Sequence, residues 1–218
     1  MGSLASALNE SAIARLGQEL WQRHKKIVFS FWDSIAQFFG SLDVNGFKVY
    51  QDGLVADGAE GLRIIKEGIS RGSKNFDIIG NLLERGAVLV KTENIALVKQ
   101  EHTYIIEIAR ANSLKDKEVA TLRYKLAQNK LLKQRDDFIA KRILETLDEG
   151  GTGILFIGAY HDVLSKLPEN IKVTQVKDVA RVKEYHKTLA TTKGYSQHLQ
   201  QLALYLTSPV SSTSSEKS

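Results

Sequence analysis

The chain has 218 residues, enough for one substantial domain or two small ones, and its 43% hydrophobic and 25% charged residues are ordinary for a globular protein. It contains no cysteine, which excludes disulfides, thiolate metal ligands and cysteine nucleophiles. The formal net charge of +5 comes from dispersed lysines and arginines rather than a basic run interleaved with aromatics, so the composition does not favour a nucleic-acid partner.

The N-terminal part of the sequence contains the features that indicate a subcellular location. Residues 1–6 lack the basic and apolar regions of a secretory signal, and the stretch 27–44 is too rich in polar residues to span a bilayer. The sequence therefore predicts a cytoplasmic protein. Residues 23–26 are basic and precede an aromatic-rich helix, which would permit attachment to an anionic membrane surface. Packing of that helix against the sheet is the preferred interpretation, so no membrane partner is expected.

Apolar periodicity, capping residues and turn signals predict helices alternating with strands. Asn94 and Ser113 are suitable N-caps, and glycines stand where several helices should end. In chain order, the predicted elements are one or two helices over residues 6–42, strand 47–52, helix 60–70, helix 73–85, strand 87–93, helix 95–110, helix 113–147, strand 153–159, helix 162–166, strand 172–176, helix 179–188 and helix 195–206.

This order of elements predicts an α/β fold with a mostly parallel central sheet of about four or more strands covered by helices. An N-terminal helical extension precedes the sheet, and a long helix precedes the strand that ends in Gly-x-x-His. The predicted organisation is a helical segment over residues 1–45, an α/β domain over 46–206 and a disordered low-complexity tail over 207–218.

Polar side chains stand at the ends of three predicted strands: Asp52, Glu93 and His161. Because the carboxyl ends of parallel strands meet at one edge of a sheet, we expect these three side chains to converge there, with Gly158 permitting close backbone approach. Imidazole and carboxylate suit a divalent metal such as Mn, Co, Fe or Zn, and they equally suit general acid–base chemistry. The alternative is that polar residues terminate strands and cap helices, as Asp162 would.

The long helix adds polar residues on its apolar stripe. Arg135 lies beside this stripe and Asp136 lies on it, and buried polar groups must be hydrogen-bonded or charge-paired. Either side chain is therefore predicted to reach the strand ends and pair with Glu93 or Asp52, unless this part of the helix surface is solvated. The apolar stripe itself is predicted to comprise Leu122, Leu126, Leu132, Ile139, Ile143 and Leu147.

The segment 134–147, which begins Gln-Arg-Asp-Asp, and the strand 153–161, which ends in Gly-x-x-His, resemble the C-terminal signature of the TraB/Tiki (ChaN/EreA-like) superfamily. There, a helix beginning Arg-Asn or Arg-Asp precedes a strand ending in Gly-x-x-His, and an earlier strand ends in Glu, which Glu93 matches. The superfamily includes metal-dependent proteases and haem- or antibiotic-processing proteins. Its first Gly-x-x-His is missing here, and Asp52 stands in the equivalent place, so a carboxylate would replace one imidazole ligand.

Two functional hypotheses follow. In the first, the chain is a metal-dependent hydrolase in which Glu93 and His161, with Asp52, hold the metal or activate water. Arg135 would orient a carboxylate or stabilise a developing anion. In the second, the chain is a non-catalytic protein that binds a small molecule or peptide, or a homo-oligomeric assembly protein, and the polar cluster is structural. Leftover apolar helix surface would then form a subunit interface.

Overall fold

The computed structural model describes residues 9–10, 12–192 and 194–210, of which 65% are helical. Residues 6–8 of the predicted first helix and residues 211–218 of the predicted tail lie outside the described residues. The elements are α1 (Gln18–Gly40), β1 (Lys48–Gln51), α2 (Gly58–Ser70), α3 (Lys74–Glu84), β2 (Val88–Val90), α4 (Ile95–Arg110), α5 (Leu114–Thr146), β3 (Gly153–Phe156), a short 3-10 helix (Leu164–Lys166), α6 (Val179–Thr191) and α7 (Gln197–Thr207).

The sheet is smaller than the sequence predicts. Within the described residues it has three short strands in the order β2-β1-β3, and both pairings are parallel, with Lys48 in register with Val88 on one side and Gly153 on the other. The parallel arrangement is thus confirmed. The prediction of a central sheet of four or more strands covered by helices is wrong.

The predicted fourth strand, residues 172–176, forms no strand. Its β-branched residues favour extended backbone, but a strand also needs a paired neighbour and a surface to pack on. Here the segment is largely exposed, with Val173 at 39%, and it leads directly into α6. Gln175 Oε1 accepts a hydrogen bond from the first α6 backbone amide, Val179 N, at 3.2 Å. The segment therefore serves as a connection between elements.

Residues 44–172 form one compact unit that contains the whole sheet. Its core joins the strands to the C-terminal half of α5: Tyr50 and Val90 pack with Ile139 and Ile143, and the Tyr50 hydroxyl lies 2.9 Å from Thr146 Oγ1. The turns after β1 and β2 are tied together, because Leu54 O accepts hydrogen bonds from Thr92 N and Glu93 N at 3.0 and 2.9 Å. These contacts hold the strand ends in place.

Helix α5 is buried over only part of its length. Ile139 and Ile143 are buried as predicted, but Leu122 and Leu126 are 59% and 77% exposed, so their assignment to a buried stripe is wrong. The reason is that the N-terminal half of α5 packs on α4 through another side of the helix, where Tyr124 contacts Tyr104 with ring centroids 6.0 Å apart. The helix begins as predicted, with the Ser113 side chain accepting a hydrogen bond from Asp116 N.

Residues 1–43 and 173–218 make up the second compact unit. Its described part contains α1, α6 and α7, whose core includes Leu20, Tyr185, Leu199 and Leu206. His24 lies in this unit with Nδ1 2.9 Å from the Tyr185 hydroxyl. The compact unit 44–172 does not include α6 and α7, which group with α1. The predicted α/β domain over 46–206 stays a prediction.

No helix in the described part of the chain combines the length and hydropathy needed to cross a bilayer. The cytoplasmic location stays a prediction.

Candidate functional site

The parallel strands deliver two of the predicted residues to one edge of the sheet. Asp52 follows β1, where its backbone N donates to Phe156 O of β3 at 2.9 Å. After β3 the chain turns sharply, with His161 N donating to Gly158 O at 3.1 Å. The turn brings His161 Nε2 to 3.3 Å from Asp52 Oδ2. A Cβ on Gly158 would lie 3.4 Å from both that oxygen and His161 Cδ2, which is ordinary van der Waals contact, so the approach does not itself require glycine.

Asp136 of α5 fixes the orientation of the His161 ring. Its Oδ1 lies 2.5 Å from His161 Nδ1, and its Oδ2 accepts a hydrogen bond from Asp162 N at 2.8 Å. Both carboxylate oxygens are thereby used to hold the turn that follows β3. The side chains of Asp136 and His161 are only 4% and 7% exposed, so water competes little for these contacts. The ring is held through Nδ1 and presents Nε2 to Asp52.

Arg135, the preceding residue on α5, holds the other half of the cluster. Its Nε and Nη2 donate to Glu93 Oε1 at 3.0 and 2.6 Å. The same Nη2 donates to Asp52 Oδ1, and Nη1 donates to Glu101 Oε2. Three carboxyl groups from three different segments therefore surround one guanidinium, whose side chain is 9% exposed.

The pKa values of Asp52 and His161 are shifted by the charged groups around them. Burial disfavours the charged form of Asp52, but hydrogen bonding and charge from His161, with the charge of Arg135, outweigh it and lower the pKa of Asp52 to about 2. Burial would likewise lower the pKa of His161, but Asp52 and Asp136 outweigh that effect and raise it above its usual value. His161 therefore favours the imidazolium form and Asp52 the carboxylate form.

Glu93 is the exception among these acids. Its side chain is 0% exposed, and burial, reinforced by the charge of Asp52, raises the pKa of Glu93 despite the opposing effect of Arg135. Both hydrogen bonds from Arg135 fall on Oε1, while Oε2 is buried with no hydrogen-bond partner among the described residues. Burial therefore favours the neutral form of Glu93 more than it would in an exposed glutamate.

The structure thus brings together all four residues that the sequence singled out. Asp52 contacts both Arg135 and His161, and Arg135 contacts Glu93. Arg135 and Asp52 connect Glu93 with His161. The alternative interpretation, in which this part of the helix surface is solvated, is wrong for Arg135 and Asp136, because they are only 7% and 3% exposed. The catalytic and metal-binding roles of these residues stay predictions.

Two contacts of the cluster were not predicted from the sequence, one made by Glu101 and one made by Asp136. Glu101 was not predicted to join the cluster, although its spacing from Leu97 and Tyr104 places it on the apolar side of α4, where a lone acid signals a buried partner. Asp136 was expected near the strand ends, but its pairing with His161 was not. Asp162 does not cap a helix with its side chain; its Oδ2 accepts a hydrogen bond from Ser165 Oγ at 2.7 Å.

The predicted ligands of a divalent metal are Asp52, Glu93 and His161. Among the described residues, no group of three His, Asp or Glu side chains is placed to hold an ion. Arg135 supplies the positive charge between Asp52 and Glu93 that a metal would otherwise supply. His161 Nε2 and Asp52 Oδ2 are the two atoms that face each other. The predicted divalent metal stays a prediction.

Comparison of the chain with protein-family models, with curated proteins and with solved structures finds no match in any of the three. The resemblance to the TraB/Tiki superfamily therefore stays a prediction that rests on residues 134–161.

Proposed function

We propose that this cluster is the acid–base centre of a hydrolase that acts on a small molecule or peptide at the carboxyl edge of the sheet. The observation that carries the proposal is the sequence of contacts Asp136–His161–Asp52. A buried carboxylate holds Nδ1 at 2.5 Å, and Nε2 faces an ionised carboxylate at 3.3 Å. A histidine oriented through one nitrogen by a buried acid is the arrangement that general acid–base catalysis uses.

The ionisation of the pair assigns the roles. His161 carries a proton on Nε2 and donates it to the leaving group, while Asp52 accepts a proton from the attacking water. The bond from water oxygen to the electrophile forms as the bond to the leaving group breaks. Because Asp52 Oδ2 and His161 Nε2 are 3.3 Å apart, the proton taken by Asp52 can return to His161 and restore both groups.

Arg135 acts as a positioning residue in this proposal. Its guanidinium binds Asp52 Oδ1 and leaves Oδ2 to face His161. Because its other N–H groups bind Glu93 and Glu101, Arg135 has little capacity left to stabilise a substrate anion. If a divalent metal binds, His161 Nε2 and Asp52 Oδ2 would hold it, and it would supply a bound water of lowered pKa.

The test is a hydrolase screen of the full chain with chromogenic carboxylic esters, phosphate esters and peptide amides, with and without added Mn²⁺ or Zn²⁺. His161→Gln should reduce the identified activity about 100-fold or more. The matched control is His198→Gln, because His198 is exposed and pairs with exposed Glu184 at 2.8 Å, away from the cluster. Absence of hydrolysis in every assay, or equal activity in both variants, would overturn the proposal.

A second candidate is a binding or assembly protein in which the cluster is structural. It is favoured by the hydrogen bonding of Arg135, which makes four bonds to three carboxyl groups and so keeps little capacity for a ligand. In that case Asp136→Asn should lower the free energy of unfolding, and the unsubstituted chain should show no hydrolytic turnover. A light-scattering mass above that of the monomer would support the assembly protein. A monomeric mass together with no hydrolase activity would instead support a ligand-binding protein.

A further inference from the structure

The N-terminal half of α5 carries an apolar face that the fold does not cover. We call it the α5 face and define it by Val119, Leu122 and Leu126, which are 44%, 59% and 77% exposed. Their spacing of three and four residues places them on one side of the helix. Ala120 and Tyr124, which face α4, lie on the other side. Contiguous exposed apolar side chains of this kind mark an interaction surface.

Basic side chains flank the α5 face and outnumber the one exposed acid at its edge, Glu118. Lys115 and Lys130 extend the same row at four-residue spacing, and Arg123 and Lys133 flank it. All four are exposed. Unlike many lysines and arginines of this protein, these four make no ion pair with the described residues. The surface therefore combines protruding aliphatic groups with unneutralised positive charge.

We propose that the α5 face docks this protein on an anionic lipid surface. Lipid headgroups pair with the lysines and arginine, while the boundary between headgroups and acyl chains accepts the leucines and valine. A second copy of the chain would oppose like charges across the contact. Nucleic-acid phosphates would pair with the cations but leave the leucines in water. An anionic membrane surface accounts for both the exposed apolar side chains and the cations beside them, and it requires no groove in the partner.

The expected size of the effect is set by the charges. Each Lys or Arg near an anionic bilayer is worth about a fivefold change in affinity, so removing two should weaken binding about 25-fold. Replacing two partly inserted leucines by serine should weaken it about tenfold or more, since most of their apolar area would leave the interface. All these side chains are exposed, so the substitutions should leave the fold unchanged.

The experiment is co-sedimentation of the full chain with vesicles of equal parts phosphatidylcholine and phosphatidylglycerol, and with vesicles of phosphatidylcholine alone. The test variants are K130Q/K133Q and L122S/L126S. The charge-matched control is K25Q/K26Q, which removes two exposed lysines from the basic segment before the aromatic part of α1. The apolar control is L144S/L204S, because these leucines are 49% and 63% exposed elsewhere.

The proposal predicts binding to the anionic vesicles only, weakened by both test variants and unchanged in both controls. No sedimentation with anionic vesicles would overturn it. So would loss of binding in K25Q/K26Q with full binding in K130Q/K133Q, which would assign the surface to α1. Binding that L122S/L126S leaves intact and that polyuridylate RNA competes away would show a purely electrostatic polyanion surface and would also refute lipid docking.

Discussion

Arg135→Met tests whether the strand-edge cluster depends on its central cation. The guanidinium is 9% exposed and makes four hydrogen bonds to three carboxyl groups. Removing one partner of a buried ion pair costs about 3–5 kcal/mol because a charge stays buried without compensation. We expect the low end, about 3 kcal/mol, because Asp52 and Glu101 are 23% and 25% exposed and can be hydrated.

The assay is urea unfolding of the full chain, with the free energy of unfolding extrapolated to water at pH 7 and at pH 5. The matched control is Arg123→Met, which removes an exposed arginine from the same helix and should change stability by no more than about 0.5 kcal/mol. The deficit of Arg135→Met should shrink at pH 5. Without the guanidinium the clustered carboxyl groups have raised pKa values, so the folded variant takes up protons there.

A loss no larger than that of the Arg123 control, about 0.5 kcal/mol, would refute this reasoning, because removing a buried cation bonded to three carboxyl groups should be clearly destabilising. A deficit that does not depend on pH would also contradict it. That result would mean that lost packing of the side chain, rather than lost charge, causes the destabilisation.

Three further predictions concern protons. The raised pKa of Glu93 predicts that Glu93→Gln costs less than about 1 kcal/mol in urea unfolding, because an amide is nearly isosteric with a neutral carboxyl and keeps an oxygen that accepts from Arg135. A loss of about 3 kcal/mol or more would show that Glu93 is ionised. The raised pKa of His161 means that its stabilisation is present below pH 6.5 and is lost as pH rises through the folded-state pKa. NMR of the imidazole should place that pKa above 6.5, the usual value for histidine. Burial and the neighbouring charges of His186 and Arg15 lower the pKa of His24 from 6.5 to about 4. The free energy of unfolding should therefore fall by about 2 kcal/mol, after a discount for solvent screening, as pH drops from 6.5 to 4. His24→Gln should abolish this dependence on pH.

Local features of the fold were predictable from the sequence because their causes are local. Asn94 and Ser113 cap α4 and α5 as predicted, since an Asn or Ser side chain next to a helical run can satisfy a free backbone amide. The parallel strands followed from helices placed between them. Residues 172–176 were mispredicted because strand formation depends on a pairing partner elsewhere in the chain, which the segment's own propensity cannot reveal.

The candidate site was predictable at the strand ends but not where helices meet. Asp52, Glu93 and His161 could be found because parallel strands bring their carboxyl ends to one edge. The contact of Glu101 with Arg135 depends on the register between α4 and α5, which periodicity leaves open. The same register explains why Leu122 was assigned to the buried stripe although it is exposed. An apolar stripe in the sequence does not say how much of a long helix the rest of the fold covers.

The adjacent positions of Arg135 and Asp136 allow the catalytic and structural interpretations to be separated. Both residues depend on one register of α5. Any change that shifts the helix would therefore disrupt the contacts of both Arg135 and Asp136 and would not separate the two interpretations. Asp136→Asn keeps the side-chain volume and leaves the contacts of Arg135 in place, but it removes the charge that orients and stabilises the imidazolium of His161. In either case the His161 pKa should fall, because a charge that raises it is gone, so the imidazole titration only confirms that the substitution acts at this contact. A catalytic cluster should then lose hydrolytic turnover while the packing of α5 is nearly unchanged, whereas a structural cluster should lose stability and have no turnover to lose. Turnover of that one variant therefore discriminates between the two functions, and its unfolding free energy shows whether the fold is retained.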